Sequence, residues 1–170
     1  FIATGPVDHS ALRSYVPLLA RKNIKCHWVD AGDGNAGLVR VTGRGATPAE
    51  GRQYAVHINK NHPPPVQFAT LTHELAHLTL GHLGPDKKLG IPARPPLTHA
   101  KQELEAESVA YILCERVGVA SKSQTYLSSF VAEVKTIDDL DVYQIMRAAG
   151  QVETMLGLAL RSSFNESRER

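Results

Sequence analysis

The stretch Val66 to His82, VQFATLTHELAHLTLGH, is fenced by proline on both sides: Pro63-Pro64-Pro65 precede it and Gly84-Pro85 follow it. It holds no proline, and its first glycine is Gly81. Phe68, Leu71, Leu75 and Leu78 recur at helical spacing, so the segment is expected to bury one side as a helix. Inside it stands His73-Glu74-Leu75-Ala76-His77, an HExxH pattern. At 3.6 residues per turn, His73 and His77 project from one face about one turn apart. Two imidazoles so placed can share one Zn2+ at about 2.0–2.1 Å. Glu74 is rotated to the flank, where its carboxylate reaches a water rather than the ion. In a chain with eight histidines among 170 residues the pattern arises by chance about 2% of the time. That favours a metal site over two ordinary helix histidines.

A catalytic zinc takes three protein ligands and keeps one position open. His82 follows His77 by five residues, but the HExxHxxGxxH pattern would need Gly at 80 and His at 83, where Leu80 and Leu83 stand. The segment KQELEAESVAY offers Glu103, Glu105 and Glu107 instead. Glu103 and Glu107 share a helical face with Ala106 and Ala110 close by, and small residues there allow a close approach to the HExxH helix. Glu105 lies about 200° round from Glu103 and is expected to face solvent. Glu103 is therefore the expected third ligand, with Glu107 orienting an imidazole through its free N–H. Glu107 and His82 are the alternatives for the ligand itself. Tyr111 can donate to an oxyanion but reads better as a core aromatic. His57, His62 and His99 read as surface polar residues, Cys114 as core, and Lys87, Lys88 and Arg94 as a solvated basic loop.

Around this pair the order is helix, strands, then helices, an α+β arrangement. Asp8 to Ala20 reads as a helix capped by Asp8 or Ser10, weakened by Pro17. Ile24 to Val29, Gly37 to Thr42 and Tyr54 to Ile58 read as strands of a small, mostly antiparallel three-stranded sheet. Thr98 to Val117 reads as a helix ending at Gly118, with further helices near Ser123 to Lys135 and Asp141 to Leu160. The expected domain is 1–161, with a polar tail over 162–170. A chain opening on Phe1 is expected to be a piece of a longer one. Net charge of +2 gives no argument for nucleic acid or membrane, and no apolar run approaches the roughly 20 residues of a membrane span. Two cysteines 88 positions apart form no CxxC pair, and with no secretory signal pattern they point to a reduced, cytoplasmic protein.

ATLTHELAHLTLGH followed by KQELEAESVAYILCERVG resembles the ImmA/IrrE-type metallopeptidase domain. Within it the likeness is closest to the metallopeptidase-like C-terminal domain of ArdC-type antirestriction proteins. The family carries HExxH, then a helix with a glutamate three residues before an alanine and a polar residue after that alanine. Glu103, Ala106 and Glu107 match, which favours Glu103 over Glu105 as ligand. The resemblance spans roughly Asp8 to Leu158, with specific motifs only in 70–115. It implies a gluzincin-like site with Zn2+ on His73, His77 and Glu103, Glu74 as general base, and the HExxH helix packed beside a small sheet. ArdC-type proteins carry a separate N-terminal single-stranded-DNA-binding domain, and nothing in this chain matches one. ImmA-type proteins cleave repressors, which implies a regulatory protein or peptide as substrate. Glu107 departs from the asparagine usual in the ImmA/IrrE branch.

The expected function is thus zinc-dependent peptide hydrolysis, with Tyr54 to Ile58 as an edge strand that pairs with an extended substrate. The rival reading is a metal-bearing, non-proteolytic module of an antirestriction or mobile-element protein.

Overall fold

Tyr54 to Ile58 is the most continuously apolar of the strand segments, and it takes the place where both strand edges are covered. The structure, a computed structural model, describes residues 2–122, 128 and 140–158. In chain order the elements are β1 (Ala3–Thr4), α1 (His9–Ala20), β2 (Ile24–Val29), β3 (Gly37–Arg44), a 3-10 turn at Pro48–Glu50, β4 (Arg52–Asn59), α2 (Pro64–Thr79), α3 (His99–Val117), β5 (Ala120–Ser121) and α4 (Val142–Met155). The α+β expectation holds. The expected tail and nearly all of the helix expected near Ser123 to Lys135 lie outside the described residues.

The three-stranded sheet has the order β2-β4-β3. β2 runs parallel to β4, from Ile24 opposite Tyr54 to Val29 opposite Asn59. β3 runs antiparallel to β4, from Gly37 opposite Ile58 to Arg44 opposite Arg52, with a bulge between Val41 and Gly43. Two expectations are corrected here. The sheet is mixed rather than mostly antiparallel, and β4 is its central strand rather than an edge. The reason lies in the side chains. Tyr54, Val56 and Ile58 are fully buried, whereas β3 alternates between exposed and half-buried positions along its whole length, the pattern of a strand with one wet face. The most apolar strand gains most from the centre. A second ladder, β1 against β5, pairs Ala3 with Ser121 and Thr4 with Ala120.

α2 packs across the sheet, and Phe68, Leu71, Leu75 and Leu78 bury against Tyr54, Val56 and Ile58. Asp8 caps α1 by accepting from the Ala11 N–H, and Leu12, Tyr15 and Leu19 turn inward while Pro17 sits on the exposed side. α2 starts two residues earlier than the sequence suggests because Pro64 and Pro65 occupy its first turn, where a missing N–H costs nothing. α3 lies alongside α2 through Ala106, Val109, Ala110 and Leu113, all buried. Among the described residues no helix is long and apolar enough to cross a membrane.

The loop between β2 and β3 is tied down by one buried side chain. Asn59 donates from Nδ2 to the Gly32 and Asn35 carbonyls at 2.6 and 2.8 Å, and its Oδ1 accepts the Asn61 N–H at 3.1 Å. Asn59→Ala is expected to cost about 2–3 kcal/mol, since several partners lose a bond that water replaces only in part. Urea denaturation checks this, and a loss under 0.5 kcal/mol contradicts it.

Candidate metal centre

His73 and His77 lie one turn apart on α2 and face α3, with rings in edge contact and centroids 4.8 Å apart. Glu103, in the first turns of α3, reaches both. His73 Nε2 is 3.4 Å from its Oε2, His77 Nε2 is 3.2 Å from its Oε1, and the two Nε2 atoms are 3.1 Å apart. Among the described residues these three form the group of His, Cys, Asp or Glu able to hold an ion. Ligands at 2.0–2.1 Å from a tetrahedral ion sit about 3.3 Å from one another. The three spacings lie close to that value, with each histidine facing a different oxygen of Glu103, so the donors enclose room for one ion. Two imidazoles and one carboxylate are also the donor set of open, catalytic zinc sites.

The other nitrogens of the two imidazoles are held from behind. His73 Nδ1 lies 2.9 Å from Glu107 Oε2, the contact expected of that carboxylate. His77 Nδ1 lies 2.9 Å from His82 Nδ1, and His82 Nε2 lies 2.9 Å from Glu105 Oε2. Arg94 grips Glu105 with two hydrogen bonds of 2.7 and 2.8 Å. Neither His82 nor Glu107 is placed as the third donor of the cluster.

Two expectations fail at this end of the site. Glu105 does not face solvent: its side chain is 4% exposed. Its angle round the helix is as expected, but the chain after α2 folds back over that flank of α3 and delivers Arg94 and His82 to it. Arg94 is accordingly a buried partner of Glu105 and not part of a solvated basic loop, whereas Lys87 and Lys88 are exposed. Gly81 explains the return. It adopts φ of +81°, and α2 closes with the Gly81 N–H on the Leu78 carbonyl and the His82 N–H on the His77 carbonyl. This is a left-handed glycine cap, and it swings His82 back beside His77. The Leu80-Gly81 pair at the end of the apolar run was the signal for it in the sequence. The returning loop is pinned by buried Asp86, which accepts from Tyr54 Oη at 2.8 Å and from the Leu89 N–H at 3.1 Å.

Burial opposes a charge on His73, yet hydrogen bonds to Glu103 and Glu107 outweigh it and hold its pKa up at about 10. The same contacts from His73 and His77 hold Glu103 far below the usual carboxylate range. Burial pushes Glu74 upward against the pull of the two histidines. The Glu74 carboxylate accepts the Val39 N–H, which belongs to β3. β3 comes this close because its first residue is Gly37. A Cβ there would stand 2.6 Å from both the His57 carbonyl and Thr70 Cγ2. Beside Glu74 opens a cavity of about 280 Å3, bordered by Gly34 to Gly37, by Val66, Ala69 and Thr70 of α2, and by Glu103 and Ala110 of α3. His57 and His99 stay outside the cluster, Cys114 is core, and Tyr111 is half-buried on α3.

Residues 30–114, half of the chain, match the IrrE N-terminal-like domain, a family of peptidases. The chain belongs to this family. The matched span runs from the end of β2 into α3 and includes every residue of the cluster and of its supports. Peptidases of the IrrE N-terminal-like family are typically metal-dependent, in keeping with the donor set described above. Comparison with curated proteins and with solved structures gave no match.

Proposed function

We propose that this chain is a zinc-dependent endopeptidase in which His73, His77 and Glu103 hold the ion and Glu74 takes the proton of the attacking water. The observation that carries it is the convergence of two Nε2 atoms and a carboxylate at 3.1–3.4 Å beside Glu74 and an open cavity. Bound there, the ion supplies Lewis acidity, which polarises a peptide carbonyl and makes a water easier to deprotonate. Glu74 is the acceptor for that proton and can pass it on to the leaving amine. Its carboxylate is kept off the ligand face and steadied by the Val39 N–H.

β3, the edge strand beside Glu74, replaces β4 as the strand on which an extended substrate can add. The cavity lined by Val66, Ala69 and Ala110 suits an apolar substrate side chain. A regulatory protein such as a repressor is the proposed target, and the ArdC-type branch the proposed affiliation. Both rest on the motif resemblance in 70–115.

Purified protein is expected to contain about one equivalent of Zn2+. Cleavage of an unfolded polypeptide is expected to stop with a chelator and to return when Zn2+ is restored. Protein that holds no zinc, or that cleaves equally well without it, overturns the proposal.

A further inference from the structure

We propose that Arg94, Glu105 and His82 form a buried relay that fixes the tautomer and ring orientation of His77 as a metal ligand. All three are positioning residues, and the inference rests on the zinc reading above. The chain of contacts is continuous. Arg94 Nη1 and Nη2 reach the two Glu105 oxygens at 2.7 and 2.8 Å, Glu105 Oε2 is 2.9 Å from His82 Nε2, and His82 Nδ1 is 2.9 Å from His77 Nδ1. The side chains of Arg94, Glu105 and His82 are 7%, 4% and 3% exposed.

Proton counting gives this chain one direction. A ring nitrogen binds a cation only through a free lone pair, so His77 must carry its proton on Nδ1. Two ring nitrogens 2.9 Å apart share one hydrogen between them, because two lone pairs or two N–H groups would repel. If His77 donates, His82 accepts on Nδ1 and carries its own proton on Nε2, aimed at Glu105. The reverse order would leave a lone pair of His82 facing a carboxylate in a buried place, where unpaired acceptors are costly. Arg94 closes the alternatives. Its guanidinium keeps its charge and its fork holds Glu105 as an anion able only to accept. Arg94 Nη1 also donates to the Leu80 carbonyl at 3.2 Å, so the same side chain fixes the helix end from which His82 returns. His73 gains the equivalent direction from a single carboxylate, Glu107.

The test is the affinity of the folded protein for Zn2+, by competition with a chromophoric chelator, together with the visible spectrum of the Co2+-loaded protein. Glu105→Gln keeps shape and one acceptor, but an amide can also donate, so the direction is no longer enforced. It is expected to weaken Zn2+ binding about 10-fold and to change the Co2+ spectrum. His82→Ala is expected to weaken binding about 10- to 100-fold. Arg94→Lys, which keeps the charge and loses the fork, is expected to fall between wild type and His82→Ala. A lowered apo-protein melting temperature with wild-type Zn2+ affinity and an unchanged Co2+ spectrum makes the three residues merely structural and overturns the relay. If His82→Ala does not fold, the near-isosteric Glu105→Gln decides alone. A wild-type protein that binds no Zn2+ overturns the site itself, an outcome distinct from wild type and variants binding alike.

Discussion

Glu74→Gln is expected to slow peptide hydrolysis by about 10²- to 10⁴-fold while zinc content and fold stay unchanged. The two halves of that expectation come from different contacts. Glu74 is not in the cluster formed by His73, His77 and Glu103, so its charge is not needed to hold the ion. Its carboxylate accepts the Val39 N–H, and the carbonyl of a glutamine accepts it equally well, so β3 keeps its place beside the cavity. What the amide lacks is basicity: it cannot take a proton from the attacking water. The experiment pairs Glu74→Gln with His73→Ala and reads zinc content, polypeptide cleavage and function in cells carrying the native partner. A protein that uses its ion only for binding gives a silent Glu74→Gln and a damaged His73→Ala. That result overturns the peptidase proposal and leaves the metal site standing.

The HExxH helix was legible because everything that shapes it is local. Prolines at 63–65 and at 85 bound it, its apolar residues keep one period, and HExxH puts both imidazoles on one face. β2 occupies Ile24–Val29, as its β-branched residues and flanking turns indicate. Glu103 and Glu107 come to the α2 side of α3 because helical phase alone relates them. The misplacements concern partners rather than phase. Glu105 has the expected angle, but nothing within α3 tells that Arg94, from a loop eleven residues earlier, will close over it. Tyr54 to Ile58 was legible as a strand, yet its central position depends on β2 pairing in parallel across a connection that skips one place in the sheet. Two-residue ladders such as β1 against β5 carry no periodicity at all. His82 stands between these cases. Its return to His77 follows from a glycine cap that a reading of Leu80-Gly81 could have found.

Glu103→Ala is expected to weaken zinc binding by a few hundred-fold, well beyond the loss in Glu105→Gln. A zinc site of four protein ligands is worth about 10–16 kcal/mol, or about 2.5–4 kcal/mol for each ligand. At 1.4 kcal/mol per factor of ten, that is roughly 60- to 700-fold. Glu103 contributes twice over. As the proposed ligand it would supply the anionic donor, with its oxygens 3.2 and 3.4 Å from the two Nε2 atoms, and its charge would balance that of the ion in a half-buried place. Glu105 touches neither Nε2 atom and acts at two removes, through His82. Glu107→Gln, behind His73, is expected to match Glu105→Gln in size, because each carboxylate orients one imidazole. The three affinities, measured side by side on folded protein, separate the roles. If Glu105→Gln loses the ion and Glu103→Ala keeps it, the carboxylate assignments are exchanged. If Glu103→Ala binds zinc as wild type does, the convergence at 3.1–3.4 Å is an ion-pair cluster and no ligand set.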